Sequence, residues 1–158
     1  MKILRYPNPI LAKKAEPVTE FNADLEKLVE DMKVAVFAAK GVGLAAPQVG
    51  VSKALFIVLN KSGEYYEVIN PEIIKQTNPT IMEEGCLSAP GIYLPIERSG
   101  QVHIKYYNVK GEEKSLITNG LEARIILHEY EHLQGEFYFD RVSKSKRRIA
   151  LGALKRIK

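Results

Sequence analysis

The sequence predicts an α+β fold in which mainly antiparallel sheets pack around a central helix bearing His128-Glu129-Tyr130-Glu131-His132, with a basic helix at the C-terminus. Two features carry that expectation. Residues between Leu55 and Thr118 fall into short apolar or alternating runs separated by turn residues, the pattern of hairpins rather than of strand-helix-strand crossovers. Helical periodicity flanks them, from Asn22 on one side and from Asn119 on the other.

Pro7, Pro9 and Pro17 forbid a continuous helix over residues 1–20, which are expected to form an extended arm around the body. From Asn22 a helix is predicted, with Leu25, Leu28, Val29, Met32 and Val36 on one face and Gly41 closing it. The run Gly41-Val42-Gly43-Leu44-Ala45-Ala46-Pro47-Gln48 satisfies G-x-G-x-x-A, but a dinucleotide site needs a strand before that pattern and a helix after it. Here a helix precedes and Pro47 obstructs a following one, so the nucleotide reading is rejected. A loop of small residues ending in an amide instead lets backbone approach a ligand closely, with Gln48 as an N–H donor.

Leu55–Leu59 reads as a buried strand that pairs with Tyr65–Ile69 across Lys61-Ser62-Gly63, and Asn70-Pro71 is expected to end that hairpin. A further extended segment near Thr80–Glu84 leads into Glu84-Gly85-Cys86-Leu87-Ser88, which places Cys86 at a strand end or in a loop. Between Gln101 and Tyr107, Val102, Ile104 and Tyr106 alternate with His103, Lys105 and Tyr107, so His103 belongs to the polar face rather than to a ligand set. After a turn at Asn108–Gly111, Lys114–Thr118 returns toward the central helix.

On that helix, residues four apart stand one above the other about 6 Å along the axis, so the imidazoles of His128 and His132 can grip one cation. Glu129 is then beside the water such a cation activates, placed to take its proton. Leu121, Ile125, His128 and His132 form one stripe, which turns the histidines inward. Asn119 with Glu122 has the form of a capping box, and Gly135 stands where a helix stops. Two inward histidines and a glutamate are costly to bury unless a metal makes them ligands or ordinary hydrogen bonds satisfy them; the helix alone leaves both readings open. A hydrolytic centre takes a third protein ligand. Glu136, Asp140 and Cys86 are all open on spacing, and a thiolate would suit zinc, iron or another late first-row metal.

At 158 residues, 46% hydrophobic and 27% charged, the chain has the length and balance of one soluble domain. The opening residues lack the apolar core of a signal peptide and no run is long enough to span a bilayer, so a cytoplasmic protein without membrane association is expected. The single Cys86 excludes an internal disulfide and is either a small buried hydrophobe or a thiol with chemistry. The net charge of +4 is owed to the tail: Lys144, Lys146, Arg147, Arg148, Lys155, Arg156 and Lys158 stand in residues 142–158 with no acidic residue among them.

Three segments in order, Gly41 to Gln48, Glu84 to Ser88 and His128 to Leu133, resemble the motifs of the peptide deformylases. The resemblance covers nearly the whole chain, including Tyr6-Pro7, Arg98 and Gly135 to Arg141. It implies that Cys86, His128 and His132 hold the metal, and that Glu129 serves as general base and then acid. It further implies that the Gln48 side chain and the Leu87 backbone N–H cradle the formyl oxygen as it becomes an oxyanion. Val42, Gly43, Glu84, Gly85, Leu121 and Ile125 are then expected around the peptide and its methionine side chain. The implied reaction releases formate from N-formylmethionyl nascent peptides. The implied ion is Fe(II), one per chain, with Zn(II), Ni(II) or Co(II) as substitutes, although ligand type alone favours zinc. Two positions depart from the family pattern: Leu127 where glutamine is common, and Glu131 in place of the usual aspartate.

In the tail, Val142, Ile149, Ala153 and Ile157 recur at roughly helical spacing, so residues 142–158 are expected to form a basic amphipathic helix. It either packs on the body with a solvated outer face or docks on ribosomal RNA. The expected organisation is a monomeric, single catalytic domain over residues 1–158. The rivals are a general metalloendopeptidase, which would cut internal peptide bonds, and an inactive module that uses its tail on RNA.

Overall fold

In the computed structural model, which describes residues 1–157, five strands form one antiparallel sheet in chain order. They are β1 (Gly43–Ala45), β2 (Leu55–Leu59), β3 (Tyr65–Cys86), β4 (Ala89–Tyr107) and β5 (Glu113–Asn119). Among the described residues the α-helices are α1 (Ala23–Ala38), α2 (Gly120–Leu133) and α3 (Lys144–Lys155). This is the expected α+β class, with α2 packed against β1, β2, β4 and β5.

The N-terminal segment is the arm that its prolines require, interrupted by one 3-10 turn at Pro9–Ala12. Its backbone N–H groups at Leu4, Tyr6 and Ala15 donate to the carbonyls of Gln48, Ser88 and Leu133 at 2.7, 2.9 and 2.8 Å. Asn70 clamps it further, accepting from Val18 N–H at 2.8 Å and donating to Val18 O at 2.9 Å. Asn70 takes a left-handed conformation (φ +51°), and the register shifts between Ile69 and Glu72. Asn70-Pro71 therefore bends the strand instead of ending it, and β3 continues to Cys86.

The helix from Asn22 forms as expected, its first turn capped by Asn22 Oδ1 accepting from Leu25 N–H at 3.0 Å. Its end differs from expectation. Lys40, not Gly41, is the left-handed residue (φ +56°), and Lys40 and Gly41 N–H donate back to Phe37 O and Val36 O. The unbroken apolar run of β2 is explained by burial on both sides: Phe56 and Val58 face α2, while Leu55 and Ile57 face Val29, Met32 and Val36 of α1.

The capping box expected at the start of α2 is not formed. Glu122 turns away to accept from Thr118 Oγ1 (2.7 Å) and Tyr66 OH (2.9 Å), and Asn119 accepts from Lys61 Nζ at 2.8 Å. These partners come from β5, from β3 and from the turn between β2 and β3, and they displace the local pairing. The stop at Gly135 holds: its φ is +77°, and a Cβ there would meet Ala12 O at 2.7 Å, so the arm can cross only over a glycine.

The C-terminal helix is present over Lys144–Lys155, started by Ser143 Oγ accepting from Lys146 N–H at 3.2 Å. Its buried stripe is not the expected one. Ala150 and Leu154 pack with Ile92, Leu94, Phe137 and Phe139, whereas Ile149 is 70% exposed. Val142, Ala153 and Ile157 flank the buried pair, and Lys158 lies outside the described residues.

Candidate metal centre

Cys86 ends β3, just before the Leu87-Ser88 turn into β4, and His128 and His132 stand one turn apart on α2 with ring centroids 5.2 Å apart. One ligand atom from each of the three lies within 4.8 Å of the others, and Cys86 Sγ is 3.4 Å from His132 Nε2. Of the three candidate third ligands, Cys86 is the one the fold brings to the two histidines. Asp140 instead accepts from Phe137 N–H at 3.1 Å and pairs with Arg147, and Glu136 lines a different cavity with it. His103 is remote from the cluster and pairs with Ser115 Oγ at 2.9 Å.

The donor set fits a transition metal. Ionised Glu84 can only accept, so the His128 Nδ1 bonded to its Oε1 at 2.8 Å carries the proton, leaving the Nε2 lone pair for the Cys86 side. His132 Nδ1 and Glu129 Oε1 are buried without hydrogen-bond partners. Burial, with the charges of His128 and Arg98, holds His132 well below the ordinary imidazole range, in the neutral form a ligand needs. Burial would do the same to His128, but its bonds to Cys86 and Glu84 and the Glu129 charge override this and raise it well above that range. The Ser88 N–H points at the Cys86 sulfur from 3.5 Å.

Glu129 is the second element of the site. Burial, reinforced by the Glu84 charge and opposed by His128 and Arg98, pushes its carboxyl up to about 7. A group poised near neutrality suits proton transfer in both directions. β1 brings Gly43 against it so closely that a Cβ would lie 2.6 Å from Glu129 Oε2. Gln48 is the third. Its Oε1 accepts from Ala45 N–H at 2.9 Å, which aims the amide nitrogen at Ser88 Oγ (3.0 Å) and Cys86 Sγ (3.6 Å).

These groups open into a cavity of about 430 Å³. Val42, Gly43, Gln48, Glu84, Gly85, Cys86, Leu87, Leu121, Ile125, His128 and Glu129 line it, so the expected residues converge there, with His132 buried beneath. Leu121 sits on the rim, 57% exposed, so the stripe it shares with Ile125 faces this cavity rather than a closed core. Ser88, Arg124 and Tyr93 were not legible as site residues. Arg124 had a signal, a charged residue one turn before His128 on the inward stripe, and Ser88 closes the Glu84–Ser88 motif, while Tyr93 had none.

The family model for polypeptide deformylase matches residues 1–148. The chain belongs to that family. The peptide deformylase of Thermotoga petrophila is 44% identical over 147 residues, covering 92% of this chain and 89% of that protein. That of Acidobacterium capsulatum is 40% identical over 159 residues, covering 98% of this chain and 94% of that protein. The crystal structure of a peptide deformylase from Legionella pneumophila superposes with a TM-score of 0.94 at 38% identity, covering 98% of this chain and 92% of that one. Against the deformylase pattern, the two departures have clear places: Leu127 packs in the core under α2, and Glu131 pairs with Arg98 and Arg141.

Proposed function

We propose that Cys86, His128 and His132 hold one Fe(II) ion and that Glu129, Gln48 and Leu87 carry the deformylation chemistry around it. As a member of the polypeptide deformylase family, the chain is a metal-dependent hydrolase that removes the N-terminal formyl group from newly made polypeptides and releases formate. The observation that carries the residue assignment is the convergence of one sulfur and two ring nitrogens within 4.8 Å of one another, next to a buried carboxylate.

When bound, the cation supplies a Lewis acid that polarises the formyl oxygen and makes a water acidic enough to attack. Glu129, its carboxyl raised by burial to about 7, accepts the proton that the water loses and passes it to the departing amine nitrogen. Gln48, with its oxygen tied to Ala45 N–H, offers an amide N–H at a fixed direction to the oxygen that gains charge, and the Leu87 backbone N–H joins it. Val42, Leu121 and Ile125 give the cavity apolar walls for the methionine side chain. The formyl group is small enough to reach the base of a cavity that Gly43 and Glu129 close tightly, and an internal peptide bond is not.

The further proposals are a single, monomeric, cytoplasmic catalytic domain over residues 1–158 and docking of the basic helix α3 on the ribosome. Among the described residues no helix is long and apolar enough to cross a membrane. Support for docking comes from position: Ile157, just past α3, lies 3.7 Å from the Cβ site of Gly91, which lines the cavity, so a surface bound by α3 is close to the substrate entrance. The test of the reaction is anaerobic purification with metal analysis, then formate release from a formyl-methionyl peptide. An iron-loaded protein that releases no formate, or one that instead cuts an unformylated peptide internally, overturns the reading.

A further inference from the structure

A row of alternating charges leads from a metal ligand to the opposite side of α2. Glu84 receives four donors: His128 Nδ1 at 2.8 Å and Arg98 Nη2 at 3.0 Å on Oε1, and Arg98 Nε at 2.6 Å and Arg124 Nη1 at 2.5 Å on Oε2. Arg98 continues the row, its Nη1 in ionic contact at 2.5 Å with Oε1 of Glu131 but not aligned as a hydrogen bond. Glu131 Oε2 in turn accepts from Arg141 Nε at 2.6 Å. The side chains of Arg98, Glu84 and Glu131 are 1, 6 and 8% exposed, and that of Arg141 is 43% exposed. Glu131 and Arg141 line a second cavity of about 670 Å³, separate from the one over the metal centre.

We propose that Arg98 is a positioning residue for the metal ligand His128, and that the Glu131–Arg141 pair in the second cavity acts on the metal centre through it. The inference rests on the ligand assignment made above. Three nitrogens of one planar guanidinium are engaged at once, so Arg98 cannot turn without releasing Glu84 or Glu131. Its two-point grip sets the plane of the Glu84 carboxylate, and that plane aims Oε1 at His128 Nδ1. The bond at Nδ1 decides which ring nitrogen carries the proton and how the ring faces Cys86. A row of ions buried for stability alone has no advantage over packed apolar side chains. One carboxylate, that of Glu131, reaches both arginines.

The test compares wild type with Arg98→Met, Arg98→Lys and Arg141→Met after loading with Co(II). The readouts are the visible absorption of the bound ion, its affinity by chelator competition, and kcat and KM for a formyl-methionyl peptide. Arg98→Met is expected to weaken Co(II) binding by roughly 10-fold to 100-fold, shift the absorption bands and lower kcat with KM unchanged. Arg98→Lys recovers part of each change, and Arg141→Met moves all of them in the same direction by a smaller factor. Should Arg98→Met fail to fold, Arg141→Met decides, because its side chain is the most exposed of the row at 43%. Unmoved bands, affinity and kcat in Arg141→Met and in any folded Arg98 variant overturn the proposal, even if melting temperatures fall. A wild type that takes up no Co(II) overturns the ligand assignment instead, which separates the two failures.

Discussion

Gly43 and Glu129 are in contact: a Cβ added at residue 43 would sit 2.6 Å from Glu129 Oε2 and 2.8 Å from Ile125 Cγ2. Glu129 and Ile125 are both buried on the wall of the cavity, so either side chain yields only by moving into the space where substrate binds. The smallest possible substitution, Gly43→Ala, is therefore expected to displace the carboxylate and lower kcat by about 100-fold, the scale set by misplacing a catalytic group by about 1 Å. Formate release measured alongside far-UV circular dichroism checks it; a folded variant within twofold of wild type would show that the contact does not hold Glu129 in place.

Glu129→Gln should lower the rate by roughly 10²-fold to 10⁴-fold while keeping the ion, because the ligands are untouched. It also has a stability signature in the metal-free protein. The Glu129 carboxyl is raised from 4.5 to about 7 by burial, so the folded state holds the proton more tightly and loses stability as pH rises from about 4.5 through about 7. The glutamine variant should escape that loss, melting higher than wild type at pH 8 and showing no such gain at pH 4.5. Equal melting temperatures at both pH values would contradict the burial of a titrating carboxyl.

Glu84 has the opposite sign. Burial alone would raise it, but bonds from His128 and Arg98 hold it at about 2, so its contribution is full above the ordinary 4.5 and is lost as pH falls through about 2. Glu84→Gln strands Arg98 and Arg124 in the interior and is expected to cost about 3–5 kcal/mol at neutral pH. Denaturant titrations at pH 7 and near pH 3 should show that gap narrowing in acid, and a gap that is constant or wider at low pH would count against the ion pairs.

Cys86→Ser keeps the size of the side chain but replaces a thiolate with a hydroxyl that stays protonated at neutral pH. The expected result is loss of the bound ion on dialysis, with the fold intact because Cys86 contributes little to the core. Metal analysis after gel filtration reads this directly; retention of a stoichiometric ion would remove Cys86 from the ligand set.

For the tail, reversing Lys144, Lys146 and Arg148 to glutamate changes only exposed charges and spares Arg147, which contacts Tyr6 and Asp140. If α3 docks on ribosomal RNA, the triple variant should bind ribosomes more weakly and with a shallower salt dependence, each lost phosphate contact reducing the log-log slope by up to about 0.9. Activity on a short formylated peptide should be unchanged. Cosedimentation at several salt concentrations decides the matter, and unaltered binding would rule α3 out as the docking element.

The sequence by itself determined which residues share a face and what chemistry they are able to do. Four-residue spacing put His128 and His132 on one side of α2, the unbroken apolar run identified β2 as buried, and the three motifs at Gly41–Gln48, Glu84–Ser88 and His128–Leu133 carried the resemblance to a family of metal hydrolases. Spacing has no access to what arrives opposite a face. Only the tertiary structure brought Cys86, rather than Glu136 or Asp140, beside the two histidines, drew Glu122 away from its cap to Thr118 and Tyr66, put Ile149 in solvent, and joined Arg98 to Glu84 and Glu131. Each of those outcomes turns on partners supplied by a different element. Local periodicity is set by backbone geometry within a few residues, whereas the pairing of buried polar groups is settled by whichever donors and acceptors the packed elements bring within reach.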